Sequence, residues 1–159
     1  MSVTIRPATG ADQPLLDAWN AEPGPYSDWG DRTGAVPVTV LGRMIVLDDD
    51  VPVGEMSWHP EGYGANAGSV AFNFGIELAP EARGRGIGTA AQRLLAEHLF
   101  ATTPVHRIEA STDVSNLAEQ RALEKAGFTR EGVLRGAQYR GDGVHHDLVS
   151  YAILRTDRE

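Results

Sequence analysis

The chain of 159 residues contains no cysteine, which removes disulfides, thiolate metal sites and a cysteine nucleophile in one step. It also lacks a surplus of positive charge. Fourteen Lys and Arg face 22 Asp and Glu, for a net charge of −8, whereas general nucleic-acid binding needs a basic face to meet phosphates. No apolar run reaches membrane-spanning length and no signal peptide opens the chain, so the expectation is a cytoplasmic protein with no membrane partner. Internal repeats, low-complexity tracts and clear linkers are missing too, which makes residues 1–159 one expected domain. What is there is an ordinary globular mixture, 42% hydrophobic and 23% charged, long enough to bury a real core. The acidic balance either steers cationic acceptors such as amines or serves solubility alone.

Periodicity lays out the elements. Residues 3–6 read as a first strand ended by Pro7, and residues 11–20 as a helix with Leu15, Leu16 and Trp19 on one face. A turn-rich stretch with two large aromatics, Tyr26 and Trp29, comes next. Residues 38–47 and 51–58 read as a hairpin across Asp48-Asp49-Asp50, with His59 beside Pro60 marking a strand end. In residues 70–78, Val70, Phe72, Phe74, Ile76 and Leu78 share one face; Asn73, Gly75 and Glu77 share the other. A helix over 87–100 carries Ile87, Ala90, Ala91, Leu94, Leu95, His98 and Leu99 as an apolar stripe. Residues 107–112 make a strand with Ile108 and Ala110 inward. A helix over 116–126 is closed by Gly127. Residues 128–140 and 144–154 form a final hairpin. This order predicts a mixed α/β sheet with helices packed on it.

One loop concentrates chemistry. Arg83-Gly84-Arg85-Gly86-Ile87-Gly88-Thr89 lies between that alternating strand and that amphipathic helix. It gathers backbone N–H groups, two guanidinium groups and the positive end of a helix dipole, the means to hold a pyrophosphate. The three glycines let backbone approach phosphate closely. A Walker A loop would need Gly-Lys-Ser/Thr, which is absent, and the spacing Gly84-x-Gly86-x-Gly88 is not the dinucleotide fingerprint. A tight connection without a ligand is the bland alternative.

The segment Gly75-Ile76-Glu77-Leu78-Ala79-Pro80-Glu81-Ala82-Arg83-Gly84-Arg85-Gly86-Ile87-Gly88 resembles the acetyl-CoA motif of the GNAT superfamily of acyl-CoA N-acyltransferases. A second stretch, Asn116-Leu117-Ala118-Glu119-Gln120-Arg121-Ala122-Leu123-Glu124-Lys125-Ala126-Gly127-Phe128 running into Glu131-Gly132-Val133-Leu134-Arg135, is similar to the ribosomal-protein (RimJ/RimL) branch. The resemblance covers residues 70–154 well. It implies a mostly antiparallel central sheet flanked by helices, acetyl-CoA as acyl donor, no metal, and an amine acceptor, with a monomer or a homodimer left open. It further implies that the backbone of Ile76, Glu77 and Leu78 bonds the pantetheine arm. Residues 84–89, including Ile87 and Thr89, would cradle the pyrophosphate with Arg83 and Arg85 beside it. Asn116 would contact the arm or the acetyl region, although Asn116 with Glu119 also reads as a helix cap.

Without cysteine or a G-x-S-x-G turn, direct transfer in a ternary complex is preferred over an acyl-enzyme. Backbone N–H groups near residues 74–76 would steady the oxyanion. The branch has serine where this chain has Glu119, and a glutamate where it has Gln138 before Tyr139. Glu109 lies where some N-terminal acetyltransferases of the superfamily place a base, with parity opposite to Ile108 and Ala110; it and Glu119 are the candidate bases, against a water chain with no single essential residue. His145-His146-Asp147 is not read as a metal site, because neighbouring strand residues point to opposite faces. Tyr26, Trp29, Trp58 and Tyr139 are candidate acceptor contacts, with Trp29 beside Asp28 and Asp31 suited to a cationic amine. The acceptor reading stays divided between a protein N-terminus and an aminoglycoside-like polyamine. A cofactor-binding module with little catalysis is the further alternative.

Overall fold

A computed structural model describes residues 1–27 and 36–158. The order of elements is β1 (Val3–Pro7), α1 (Gln13–Ala21), β2 (Gly42–Asp48), β3 (Val51–Gly62), β4 (Val70–Leu78), α2 (Ile87–Thr102), β5 (Arg107–Asp113), α3 (Leu117–Ala126), β6 (Thr129–Tyr139) and β7 (His145–Leu154). The strands form one seven-stranded sheet in the order β1-β2-β3-β4-β5-β7-β6. Every neighbouring pair is antiparallel except β4 with β5. This is the mixed α/β sheet that the order of elements predicted, and it is mostly antiparallel as the resemblance implied.

Strand alternation sends one set of side chains toward α2 and α3. Met44, Val46, Met56 and Phe74 from the first half of the sheet meet Ile87, Ala91, Leu95 and Leu99 of α2. Ile108, Val149 and Tyr151 from the second half join the same core with Leu123 of α3. The fully buried Tyr151 satisfies its hydroxyl by donating to Glu124 at 2.9 Å. Gly127 closes α3 at φ +102°, while its N–H and that of Phe128 take the last carbonyls of the helix, as a glycine C-cap does. The β2–β3 turn is tighter than its three aspartates suggested. Asp48 pairs with Val51, leaving Asp49 and Asp50 at φ 48° and 66°, the left-handed pair a two-residue hairpin turn needs.

Three boundaries differ from the sequence reading. Residues 38–41 stay outside β2, with Leu41 N–H bonding Trp58 O at 2.8 Å as the last link. His59 does not end its strand, since β3 continues through Pro60 to Gly62. Trp58 turns its carbonyl toward β2, so Pro60, two residues on, directs its missing N–H beyond the end of β2 at Gly42. A strand tolerates proline on such an unpaired edge. Helix α1 begins only at Gln13, after a short 3-10 turn over Gly10–Asp12 in which Asp12 accepts a bidentate pair of bonds from Arg6.

Gly54 sets how closely β3 and β4 approach. A Cβ there would lie 2.5 Å from the Glu77 carbonyl oxygen and 2.6 Å from a Leu78 methyl. Gly54→Ala is therefore expected to destabilise the protein by about 1–3 kcal/mol through overpacking, read as a lower midpoint in thermal or urea unfolding.

Candidate active site

The site begins as a defect in the sheet. β4 pairs with β3 along its whole length, from Gly62↔Val70 to Gly54↔Leu78. With β5 it is in register only at Phe72↔Ile108 and Asn73↔Glu109. Beyond those two rungs the parallel strands part, and the edge of residues 74–78 that faces β5 is left unpaired. An exposed edge of this kind can pair with an extended ligand. Helix α2 starts just past the end of β4 and α3 just past the end of β5, so two helix N-termini flank the wedge.

The loop at the top of the wedge fits a phosphate-bearing donor. Gly84 and Gly86 sit at φ +71° and +80°, and nothing lies within 4 Å of where their Cβ atoms would be. Gly86 is the N-cap of α2. The first N–H groups of that helix, including Ile87, Gly88 and Thr89, have no intrahelical partner and point out at an open cradle. The guanidinium groups are more engaged than expected. Arg83 donates through Nη2 to Glu77 at 3.0 Å and through Nε to the Leu78 carbonyl at 3.0 Å. Arg85 donates to the buried Asp48 at 2.7 Å. Both cations are thus anchored to the ends of strands, beside the backbone amides that open α2.

On the helix side of the wedge, Asn116 caps α3. Its Oδ1 accepts from Glu119 N–H at 3.3 Å and its Nδ2 donates to Thr112 Oγ1 at 3.0 Å. Glu119 lies half-buried between α2 and α3, where burial pushes its carboxyl up to about 7 against a lowering contribution from Gln92. Gln92 is 0% exposed and donates Nε2–H to Glu119. Sequence reading missed Gln92. It falls outside the apolar stripe, and only its buried place opposite Glu119 reveals it.

The other face of the sheet is acidic. Glu55 on β3 and Glu77 on β4 are in register, and burial raises both carboxyls above the usual range. Glu109 and Asp113 follow on β5 with the same parity. Glu109 is 4% exposed and saturated: Tyr63 donates at 2.8 Å, Asn73 at 3.2 Å and Arg107 Nε at 2.7 Å. It does not face the wedge as a free carboxylate. Asp113 is held by Arg140 and by the Ser115 N–H.

The aromatic candidates separate. Tyr26 reaches the mouth of the wedge, donating its hydroxyl to Ser115 O at 3.3 Å with Arg140 5.8 Å over its ring. Trp58, 9% exposed, belongs to the core and does not line a cleft, because its ring lies across Gly42 where any side chain would collide with it. Tyr139 is exposed and packs on His145 at 5.1 Å. Trp29, with Asp28 and Asp31, lies outside the described residues. A groove of about 430 Å³ on the acidic face is lined by Tyr63, Ala71 and Arg107 among others. No cluster of three His, Asp or Glu suited to a metal occurs among the described residues, and no helix among them is long and apolar enough to cross a membrane.

A splayed parallel pair with an anion cradle at its open end defines a domain built to hold an extended, phosphate-bearing donor. Residues 2–129 match the acetyltransferase (GNAT) domain family, and the chain belongs to it. It is 36% identical over 85 residues to a putative ribosomal N-acetyltransferase of Bacillus subtilis, YdaF, covering 54% of this chain and 46% of that protein. The chain thus spans about half the length of that curated relative. It is also 43% identical to an aminoglycoside N(6')-acetyltransferase type 1 of Serratia marcescens, over 99% of this chain and 88% of that one. Among solved structures, aminoglycoside acetyltransferase AAC(6')-Ib in complex with coenzyme A and kanamycin superposes with a TM-score of 0.71 at 26% identity, covering 98% of this chain and 96% of that one. The ribosomal-protein branch is therefore not singled out.

Proposed function

We propose that this chain is an acetyl-CoA-dependent N-acetyltransferase that passes an acetyl group directly to a primary amine on a small polycationic acceptor. The wedge between β4 and β5, with an anion cradle at its open end and carboxylates on its far face, carries the reading. The donor supplies an activated thioester. The remaining tasks fall to the chain. The edge of Ile76, Glu77 and Leu78 takes the pantetheine arm, and residues 83–89 take the phosphates. Backbone N–H groups of residues 74–76 steady the oxyanion. Glu119, with its carboxyl near 7, is poised both to accept a proton and to return one to the departing thiolate. Glu109, spent on Tyr63, Asn73 and Arg107, positions the floor of the acceptor face.

The acidic face favours polyamines of the aminoglycoside class, and the likeness to the Serratia enzyme and to the kanamycin complex supports the same acceptor. A protein N-terminus is the second reading, supported by the motif over residues 116–135 and by YdaF. Thiol release from acetyl-CoA, followed with a thiol reagent, decides between them, since a chain with no cysteine adds no background. Release with kanamycin or spermidine well above that with N-terminal peptides is the expected result. The reverse ranking would transfer the assignment to peptides, and no release from folded, CoA-binding protein would overturn the transferase reading.

A further inference from the structure

Glu77 is next to last in β4, and its side chain lies on the acidic face, beside Glu55. Two chain segments meet on it. From the donor side, Arg83 reaches its Oε1 at 3.0 Å while also bonding the Leu78 carbonyl. From the acceptor side, the Gly24 backbone lies against the same carboxylate and helps to hold it ionised. The approach is close, because a Cβ on Gly24 would lie 3.1 Å from Glu77 Oε1 and 3.6 Å from Arg83 Nη2. Two residues further on, Tyr26 bonds Ser115 O at 3.3 Å, just past the end of β5. Residues 24–26 thus run from the end of β4 to the end of β5, across the mouth of the wedge where an amine must enter.

We propose that Glu77 is a positioning residue that couples the donor and acceptor sites, one carboxylate fixing Arg83 of the donor loop and the Gly24 backbone of the acceptor-side segment together. The inference rests on the donor and acceptor reading given above. Arg83 constrained by a bound pyrophosphate narrows the orientations open to the Glu77 carboxylate, and that narrowing fixes Gly24. Coupling of this kind is reciprocal, so an acceptor that orders residues 24–26 tightens donor binding by the same factor. The backbone role of Glu77 toward the pantetheine is independent of this side-chain role.

Amide hydrogen exchange over residues 20–27, with and without saturating CoA, tests the coupling without an acceptor. In the wild type, CoA is expected to slow exchange in this segment by roughly fivefold or more, the lower range of typical coupling. In Glu77→Ala, compared at a CoA concentration that saturates the variant by its own titration, CoA is expected to leave exchange in the segment unchanged. Gly24→Val crowds the Glu77 carboxylate and Arg83 from the other side, displaces the segment, and is expected to abolish the response in the same way. Persistence of the CoA response in either folded variant would overturn the inference. Failure of the wild type to bind CoA at all would instead overturn the donor assignment.

Discussion

Replacing Gly86 with glutamate lowers CoA affinity by at least a hundredfold while leaving the protein folded. Gly86 occupies the left-handed region at φ +80°, ψ 1°, where a side chain costs roughly 1–2 kcal/mol. The space above it is open to 4 Å, so no core contact is lost. A carboxylate at the N-terminus of α2 also interacts favourably with the helix dipole, offsetting part of the strain by about 0.3–1 kcal/mol. The ligand takes the main effect. A negative charge about 4 Å from a phosphate costs about 4 kcal/mol at the effective dielectric of a protein surface, and a hundredfold loss needs only about 2.8 kcal/mol. Calorimetric titration with CoA, paired with a melting curve, reads both quantities. Gly86→Ala isolates the backbone strain and is expected to lose far less affinity. Unchanged binding in folded Gly86→Glu would remove residues 83–89 from the donor site.

Glu119→Gln carries the second large effect, in opposite directions for activity and stability. Loss of a positioned proton-handling group costs about a hundredfold or more in kcat, with the KM for acetyl-CoA little changed. Stability moves the other way. The carboxyl titrates near 7 in the folded protein and near 4.3 in the unfolded chain, so the folded state binds the extra proton between these values. Wild-type stability is therefore fullest below about pH 4.3 and is progressively lost as pH rises through 7. Glutamine never ionises and escapes that loss. Each pH unit is worth about 1.4 kcal/mol at most. With screening of a half-buried group, the variant should be more stable than wild type by roughly 2 kcal/mol at pH 8 and equal to it near pH 4. Equal melting temperatures at both pH values would place the Glu119 carboxyl at an ordinary value.

Much of the scaffold was legible because its signals are local. β4 runs over the residues that the alternation of Phe72, Phe74, Ile76 and Leu78 marks out, and α2 begins at Ile87 as its apolar stripe does. Gly127 stops α3 through a backbone conformation that favours glycine. The glycine-rich turn ahead of α2 was legible for the same reason, being seven consecutive residues. Pairwise facts were not. Nothing in the string says that Arg85 spends its charge on Asp48, 37 positions away, or that Glu109 is enclosed by Tyr63 and Asn73. The indole of Trp58 sits in a nominally polar stretch, and only the register opposite Gly42 sends it into the core. The carboxylates of the acidic face, Glu55, Glu77, Glu109 and Asp113, lie on three strands far apart in sequence, so composition gives an acidic balance without saying which of them share a face.

The seven strands divide into two plates, β1 to β4 and β5 with β7 and β6, joined by a seam of two rungs at Phe72 and Asn73. The core beneath runs through both plates, but the seam itself is thin. On the proposed reading, a donor lying along the free edge of β4 would supply rungs that the polypeptide omits, masonry as well as reagent. On the proposed reading, each departing donor would leave the seam with only its own two rungs until the next arrived.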